Sequence, residues 1–84
     1  MAYNTSVITL TGDWSIITSV PALMQFKDKA LMYVGSATVP TETQEGFEMD
    51  RNEKYVNNDV GITIWGKSTQ FKGDVSTVIL AKEV

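Results

Sequence analysis

The stretch that decides the fold opens with Ala30-Leu-Met-Tyr-Val-Gly-Ser36 and closes with Gly61-Ile-Thr-Ile-Trp-Gly-Lys67. Between these apolar runs lie a polar loop around Pro40 and the short segment Gly46-Phe-Glu-Met49. Short apolar runs that alternate with turn residues at nearly regular intervals are typical of an all-β chain. The stretch holds no catalytic motif, so it predicts architecture and not chemistry.

Runs of this kind occur both inside the stretch 30–67 and on either side of it. Six runs have the β-branched or alternating composition of strands and are bounded by turn residues. They are residues 7–11, 14–18, 47–49, 54–56, 61–65 and 74–82. We therefore expect one domain over residues 1–84, a small antiparallel β-sandwich or jelly-roll-like barrel, with residues 1–6 as a flexible N-terminal arm.

Residues 21–35 fit two different structures. Most of their side chains favour a helix, with Pro21 in its first turn and Gly35 as its C-terminal cap. The alternative is a hairpin of strands 23–27 and 30–34 that turns at Asp28-Lys29. The alternation of side chains and the all-β surroundings favour the hairpin, because tertiary context overrides helix propensity.

Length and composition restrict what the chain can do. A domain of 84 residues buries only about 60–65% of the surface that its unfolded chain exposes, so it is marginally stable alone. The chain has no cysteine and no histidine, which excludes disulfides and removes the commonest general base and metal ligand. We expect no cofactor and no metal, and we expect a homo-oligomer, because association is the remaining way to stabilise a small domain.

The charge pattern argues against nucleic-acid and membrane partners. The net charge is −3, and the seven basic residues are scattered among ten acidic ones. No basic stripe follows a phosphate backbone, and no apolar run is long enough to span a bilayer. The N-terminal residues lack the pattern of a signal peptide, so we expect assembly in a cytoplasm.

Some strands are apolar on both faces. In the last one, Val75, Ile79 and Ala81 point one way, and Val78 and Leu80 point the other. Since a two-layer sandwich needs one apolar face per strand, the second face is covered either by a loop of the same chain or by another subunit. The small size favours a subunit. We expect this interface to include Trp14, Ile16, Ile62, Trp65, Val78 and Leu80.

Acidic residues are the main candidates for chemistry. Those in the polar middle of the chain are Glu42, Glu45, Glu48, Asp50, Glu53 and Asp59. Paired catalytic carboxylates need a cleft that a chain this short rarely builds. Residues 50–53 alternate oxygen ligands but lack the EF-hand spacing, so a polar connector is favoured over a calcium loop. We expect no enzymatic activity.

Aromatic residues offer a second candidate, a platform on which sugar rings stack. They are Trp14, Phe26, Tyr33, Phe47, Tyr55, Trp65 and Phe71. Each falls in or beside a predicted strand, where large aromatic side chains are usually core or interface anchors. A carbohydrate-binding surface is therefore the less favoured interpretation.

The chain resembles a group of small tailed-phage virion proteins. The resemblance lies in the order and spacing of Trp14-Ser-Ile-Ile, Leu23-Met-Gln25, Tyr33-Val-Gly-Ser36, Pro40, Gly46-Phe47 and Gly61-Ile-Thr-Ile-Trp65. Such proteins are compact β-sandwiches that sit on capsids or tails as homo-oligomers, commonly trimers.

The resemblance implies a structural role. We expect a head decoration or cement protein that contacts the major capsid protein or another virion protein and stabilises the capsid. Its location would be the virion, after assembly in the host cytoplasm. The alternative that the resemblance leaves open is a carbohydrate- or receptor-binding module of a tail or fibre.

Overall fold

The computed structural model of the chain describes residues 3–69 and 75–83, in which the regular secondary structure is entirely β. The eight strands are β1 (Tyr3–Leu10), β2 (Ser15–Thr18), β3 (Ala22–Phe26), β4 (Ala30–Gly35), β5 (Phe47–Met49), β6 (Lys54–Asn57), β7 (Thr63–Ser68) and β8 (Ser76–Glu83).

The strands form two four-stranded antiparallel sheets. Sheet I has the order β1-β8-β3-β6, and sheet II has the order β2-β7-β4-β5. The pairs β1·β8, β2·β7, β3·β6 and β4·β5 are nested, as if one long hairpin with its turn after β4 had been rolled up. This is jelly-roll topology, so the predicted small sandwich is confirmed. Its closed-barrel form is not, because each sheet keeps two open edges.

The core lies between the sheets and follows the alternation of the strands. In β3 the buried side chains are Ala22, Met24 and Phe26, and the two residues between them face outward. Phe26 and Met24 are cross-strand neighbours of Val78 and Leu80, which are also fully buried. Each such side chain contributes about 1.5–3 kcal/mol by leaving water, which is why the two sheets stay together.

Residues 21–35 form two strands, as the hairpin interpretation predicted, but not a hairpin. β3 pairs with β6 and β8 in sheet I, whereas β4 pairs with β5 and β7 in sheet II. The chain crosses between the sheets at residues 27–29. The physical reason is the burial of apolar side chains. The crossing at residues 27–29 lets the apolar faces of β3 and β4 meet across the core, whereas a hairpin would place the two strands side by side in one sheet.

Hydrogen bonds to β8 hold this crossing in place. The Lys27 amide donates to the Thr77 carbonyl at 2.8 Å, and the Thr77 amide donates to the Asp28 carboxylate at 3.1 Å. The Ser76 hydroxyl donates to the Lys29 carbonyl at 2.6 Å. The Ser76 hydroxyl also lies 2.9 Å from the Ser68 hydroxyl, within hydrogen-bond distance.

Several strand boundaries differ from the sequence-based expectation. Residues 3–6 belong to β1 and pair with β8 instead of forming an arm. β7 continues to Ser68, beyond the expected end at Trp65. Asp74, the expected start of the last strand, lies outside the described residues, and β8 begins at Ser76.

Candidate interaction surface

The outer face of sheet II is aromatic at its centre. Tyr33, Trp65 and Ile16 are cross-strand neighbours on β4, β7 and β2. They point away from the core, because Met32 and Ile64, the residues next to Tyr33 and Trp65, are buried in it. Both Trp65, with 5% of its surface exposed, and Trp14, with 8%, are nevertheless buried. Something in the chain therefore covers this face.

The cover is the β4–β5 loop, residues 36–46. The Trp65 indole Nε1 donates to the Ser36 carbonyl at 2.8 Å, and the Trp14 Nε1 donates to the Thr41 carbonyl at 3.1 Å. Both indoles thus lie under the loop and hold its backbone by hydrogen bonds. This satisfies their N–H groups, which buried tryptophans require.

Lys67 and Tyr33 complete the packing around Trp14. The Lys67 ammonium lies 5.6 Å from the centroid of the Trp14 ring and donates to the Glu42 carbonyl at 3.0 Å. The rings of Trp14 and Tyr33 pack with centroids 6.1 Å apart. The loop is therefore attached to sheet II at three carbonyls, two held by indoles and one by an ammonium group.

Gly46 lets the loop end this close to the sheet. A Cβ atom at this position would lie 2.8 Å from the Met32 carbonyl oxygen and 3.1 Å from the Trp14 ring. The carbonyl belongs to β4 and cannot move aside. A residue without a side chain is therefore required where the loop returns to β5.

Among residues 3–69 and 75–83, no loop covers the outer face of sheet I in this way. The register places two rows of outward residues across all four strands. The rows are Thr5–Ala81–Leu23–Val56 and Val7–Ile79–Gln25–Lys54. We call these eight residues the sheet I outer face.

Three apolar side chains of the sheet I outer face are open to solvent, two of them on the edge strands β1 and β6. Val7 is 64% exposed, Leu23 45% and Val56 53%. Two shallow depressions in it are both lined by Leu23 and Ala81. Four strands about 4.8 Å apart and two rows of residues span roughly 250 Å² in projection. This area includes the polar side chains of Thr5, Gln25 and Lys54, and it is no larger than the largest apolar patch that a typical monomer exposes, which is often functional.

The expected interface residues are distributed differently from the prediction. Val78 and Leu80 lie in the core, so they are not available to a partner subunit. The exposed side of β8 carries Ile79 and Ala81 instead. Alternation showed that this strand has two apolar faces, but it did not show which one faces the other sheet.

The remaining expected residues lie on or near sheet II. Trp14 and Trp65 are buried under the β4–β5 loop, and Ile62 packs partly buried against the core. Ile16 is exposed on the edge strand β2. The chain's own loop therefore accounts for the second apolar face of sheet II, and within the described residues no loop covers the outer face of sheet I.

Sequence reasoning did not single out Val7, Leu23 and Val56 as surface residues. The signal for Leu23 was present, because it alternates with buried Ala22 and Met24 in β3. No local signal shows that the three residues are neighbours. Their proximity depends on the order of strands in sheet I.

The acidic residues occupy the surface. All six candidates, Glu42, Glu45, Glu48, Asp50, Glu53 and Asp59, are exposed. Residues 50–53 form a tight turn in which the Asp50 amide donates to the Glu53 carboxylate at 3.1 Å and Asn52 has a φ of 69°. Glu53 is therefore used to close the connector between β5 and β6.

Two further findings concern the chemistry of the described residues. Within residues 3–69 and 75–83, no group of three or more His, Cys, Asp or Glu side chains is placed to hold a metal ion. In the same ranges, no helix has the length and apolar character that crossing a membrane requires.

The aromatic candidates do not form a common platform. Phe26 is in the core, and both indoles lie under the β4–β5 loop. Phe47, strongly exposed on β5, lines one depression of sheet II together with Tyr33, whereas Tyr55 packs against the core. Phe71 lies outside the described residues.

Comparisons with known proteins identify no relative of this chain. No protein-family model matches the chain, and neither a curated protein nor a solved structure is significantly similar to it. The fold defines the protein as a small jelly-roll sandwich. In the part of the chain that the structure describes, the outer face of sheet II is covered by a loop and the outer face of sheet I is open.

Proposed function

We propose that this chain is a non-enzymatic structural subunit of a tailed-phage virion, a head decoration or cement protein that stabilises the capsid as a homo-oligomer. The observation that carries the proposal is the sheet I outer face, where Leu23, Val56 and Val7 are left open to solvent. The resemblance of residues 14–67 to small virion proteins is what supports a tailed-phage particle as the location.

The contrast between the sheets supports an external partner for sheet I. On sheet II, hydrogen bonds from Trp14, Trp65 and Lys67 hold a loop over the aromatic centre. On sheet I, no described segment of the chain covers the two outward rows in the same way. A second protein surface that supplied this layer would bury area that a chain of 84 residues cannot bury by itself.

The composition of the open face indicates the chemistry of the partner. Its side chains are aliphatic or neutral except for Lys54, at the end of one row. A matching surface is therefore apolar, with an acidic or carbonyl group opposite Lys54. A patch of this size gives modest affinity in one copy, and repeated copies on a capsid lattice gain by avidity.

The fold agrees with a virion role at the level of analogy. Jelly-roll sandwiches are found in viral capsid proteins and also in lectins. The carbohydrate-binding alternative needs an exposed aromatic platform, and Trp14 and Trp65 are used to hold the β4–β5 loop. We therefore rank decoration first.

The test uses capsids assembled without this chain, to which purified protein is added back. Leu23→Lys and Val56→Lys place a charge on the open face, and Val60→Lys is the matched control, since Val60 is 87% exposed outside that face. Losing one buried Leu or Val contact, worth about 1.5–3 kcal/mol, weakens binding by roughly 10- to 100-fold. We expect both face variants to lose co-sedimentation with capsids, and wild type and Val60→Lys to retain it.

The functional readout is DNA release on heating. Capsids carrying wild-type protein should retain DNA to a higher temperature than bare capsids, with host adsorption unchanged. Face variants that bind and protect like wild type would refute the role of sheet I. Particles that lack the chain, keep their DNA and lose adsorption would favour the receptor-binding alternative.

A further inference from the structure

The four edge strands differ in how they are protected against pairing with another chain. Natural sheets protect their edges with short strands, charges, prolines or bulges. β2 has four residues and a register shift, β5 has three residues and includes Glu48, and β6 begins with Lys54. Each of these edges therefore carries at least one such feature.

β1 carries none of them. It has eight residues, Tyr-Asn-Thr-Ser-Val-Ile-Thr-Leu, without a charge, a proline or a glycine. Its register with β8 runs from Tyr3 to Leu10 without a shift. Because an antiparallel ladder uses the N–H and C=O groups of every second residue, the other residues of β1 direct theirs toward the open edge.

We propose that β1 pairs antiparallel with β1 of a second copy of this chain, about a two-fold axis, to give one continuous eight-stranded sheet. Residues opposite each other must lie on the same face, so outward residues meet outward residues. Centring the axis at Val7 places Val7 opposite Val7 of the second copy and Thr5 opposite its Thr9. Both are β-branched pairs, which pack well across strands.

Charge supports a second copy as the occupant. A two-fold axis sets each residue against an equivalent strand, so any charge in β1 would meet a like charge. The chain has 17 charged residues, and none of them falls in β1. Two-fold pairing of β1 would therefore meet no like-charge repulsion within the strand.

The proposed pairing of β1 strands would also extend the sheet I outer face. Val7 ends the row Val7–Ile79–Gln25–Lys54 of the sheet I outer face. Across the axis this row would join its copy, so that Ile79 and Val7 of both chains form one apolar strip. The sheet I outer face would double in width without any change within either chain.

The contact area fits a weak, reversible dimer. Eight residues of strand extend about 26 Å, and one sheet with its side chains is about 10 Å thick. The edge of β1 therefore offers roughly 260 Å² per copy, well below the roughly 800 Å² of a standard interface. Association should accordingly depend on concentration across the micromolar range.

This inference does not rest on the proposed function. Two-fold pairing gives a dimer, whereas the resemblance to virion proteins implies a trimer. Binding to capsids through the sheet I outer face could fail while two copies still pair through β1. Equally, pairing could fail while capsid binding is retained, so the two failures are distinguishable.

The first test is sedimentation equilibrium of the full chain. We expect a monomer–dimer equilibrium that Val7→Lys weakens by about tenfold or more, since a charge would oppose its copy at the axis. Val60→Lys and Leu23→Lys should dimerise like wild type. Circular dichroism checks that each variant is folded.

Disulfide trapping gives the register, because the chain has no cysteine of its own. Val7→Cys should form a covalent dimer under mild oxidation, and Val60→Cys should not. A wild-type chain that stays monomeric, a trimer, or a dimer that Leu23→Lys disrupts and Val7→Lys does not would each overturn the pairing. So would equal trapping of the two cysteine variants.

Discussion

The seating of the β4–β5 loop on sheet II depends on Gly46, and Gly46→Ala tests it. The added methyl group would lie 2.8 Å from the Met32 carbonyl oxygen, closer than Cβ atoms come to backbone, and 3.1 Å from the Trp14 ring. Overpacking of this kind costs about 1–3 kcal/mol. Alanine also restricts the unfolded chain and returns about 0.4–1 kcal/mol. We expect a net loss of about 1–2 kcal/mol, and a melting temperature about 4–16 °C lower for a domain of this size.

Gly12→Ala is the matched control, since a Cβ at Gly12 would meet nothing within 4 Å. It should be neutral or slightly stabilising. Thermal unfolding followed by circular dichroism measures stability, and tryptophan emission reports the loop, because Trp14 and Trp65 are the only two tryptophans and both lie beneath it. Gly46→Ala should shift the emission to longer wavelength. Equal melting temperatures and emission for the two variants would refute the close approach of loop and sheet.

Three further substitutions have expected outcomes that urea unfolding measures. Trp65→Phe removes the hydrogen bond to the Ser36 carbonyl and leaves a void, so it should lower the free energy of unfolding by about 2 kcal/mol or more; an unchanged midpoint would contradict the loop attachment. Ser76→Ala removes the donor to the Lys29 carbonyl at the β3–β4 crossing and should cost about 1–3 kcal/mol. Leu23→Lys should change the free energy of unfolding by less than about 0.5 kcal/mol, since Leu23 is exposed. The same substitution should reduce the binding of an apolar dye. A large destabilisation would mean that the sheet I outer face is covered within the chain.

Most strands could be predicted from the sequence, and so could the residues of a strand that share a face. Alternation in Ala22-Leu-Met-Gln-Phe26 showed which residues share a face, and the structure buries one of those faces. Turn residues located the ends of most strands. These features are local, because a strand exposes and buries its side chains with a period of two whatever its neighbours are.

Which face of the last strand is buried was not predicted from the sequence. Val78 and Leu80 were expected at a partner and are core residues, while Ile79 and Ala81 face outward. The alternation of an all-apolar strand is symmetric, so it cannot choose between its two faces. That choice depends on Met24 and Phe26, which lie more than fifty residues earlier in the sequence.

The sequence by itself determined an all-β domain without thiol or imidazole chemistry, and it showed that some strands are apolar on both faces. Only the tertiary structure decided how those strands pair, that the chain crosses between sheets at residues 27–29, and which second face is covered. The physical reason is that pairing and cover depend on contacts between distant residues. The polar loop 36–46 lies on sheet II because Trp14, Trp65 and Lys67 meet its carbonyls there, and sheet I stays open because no such donors are brought to its outer face within the described residues.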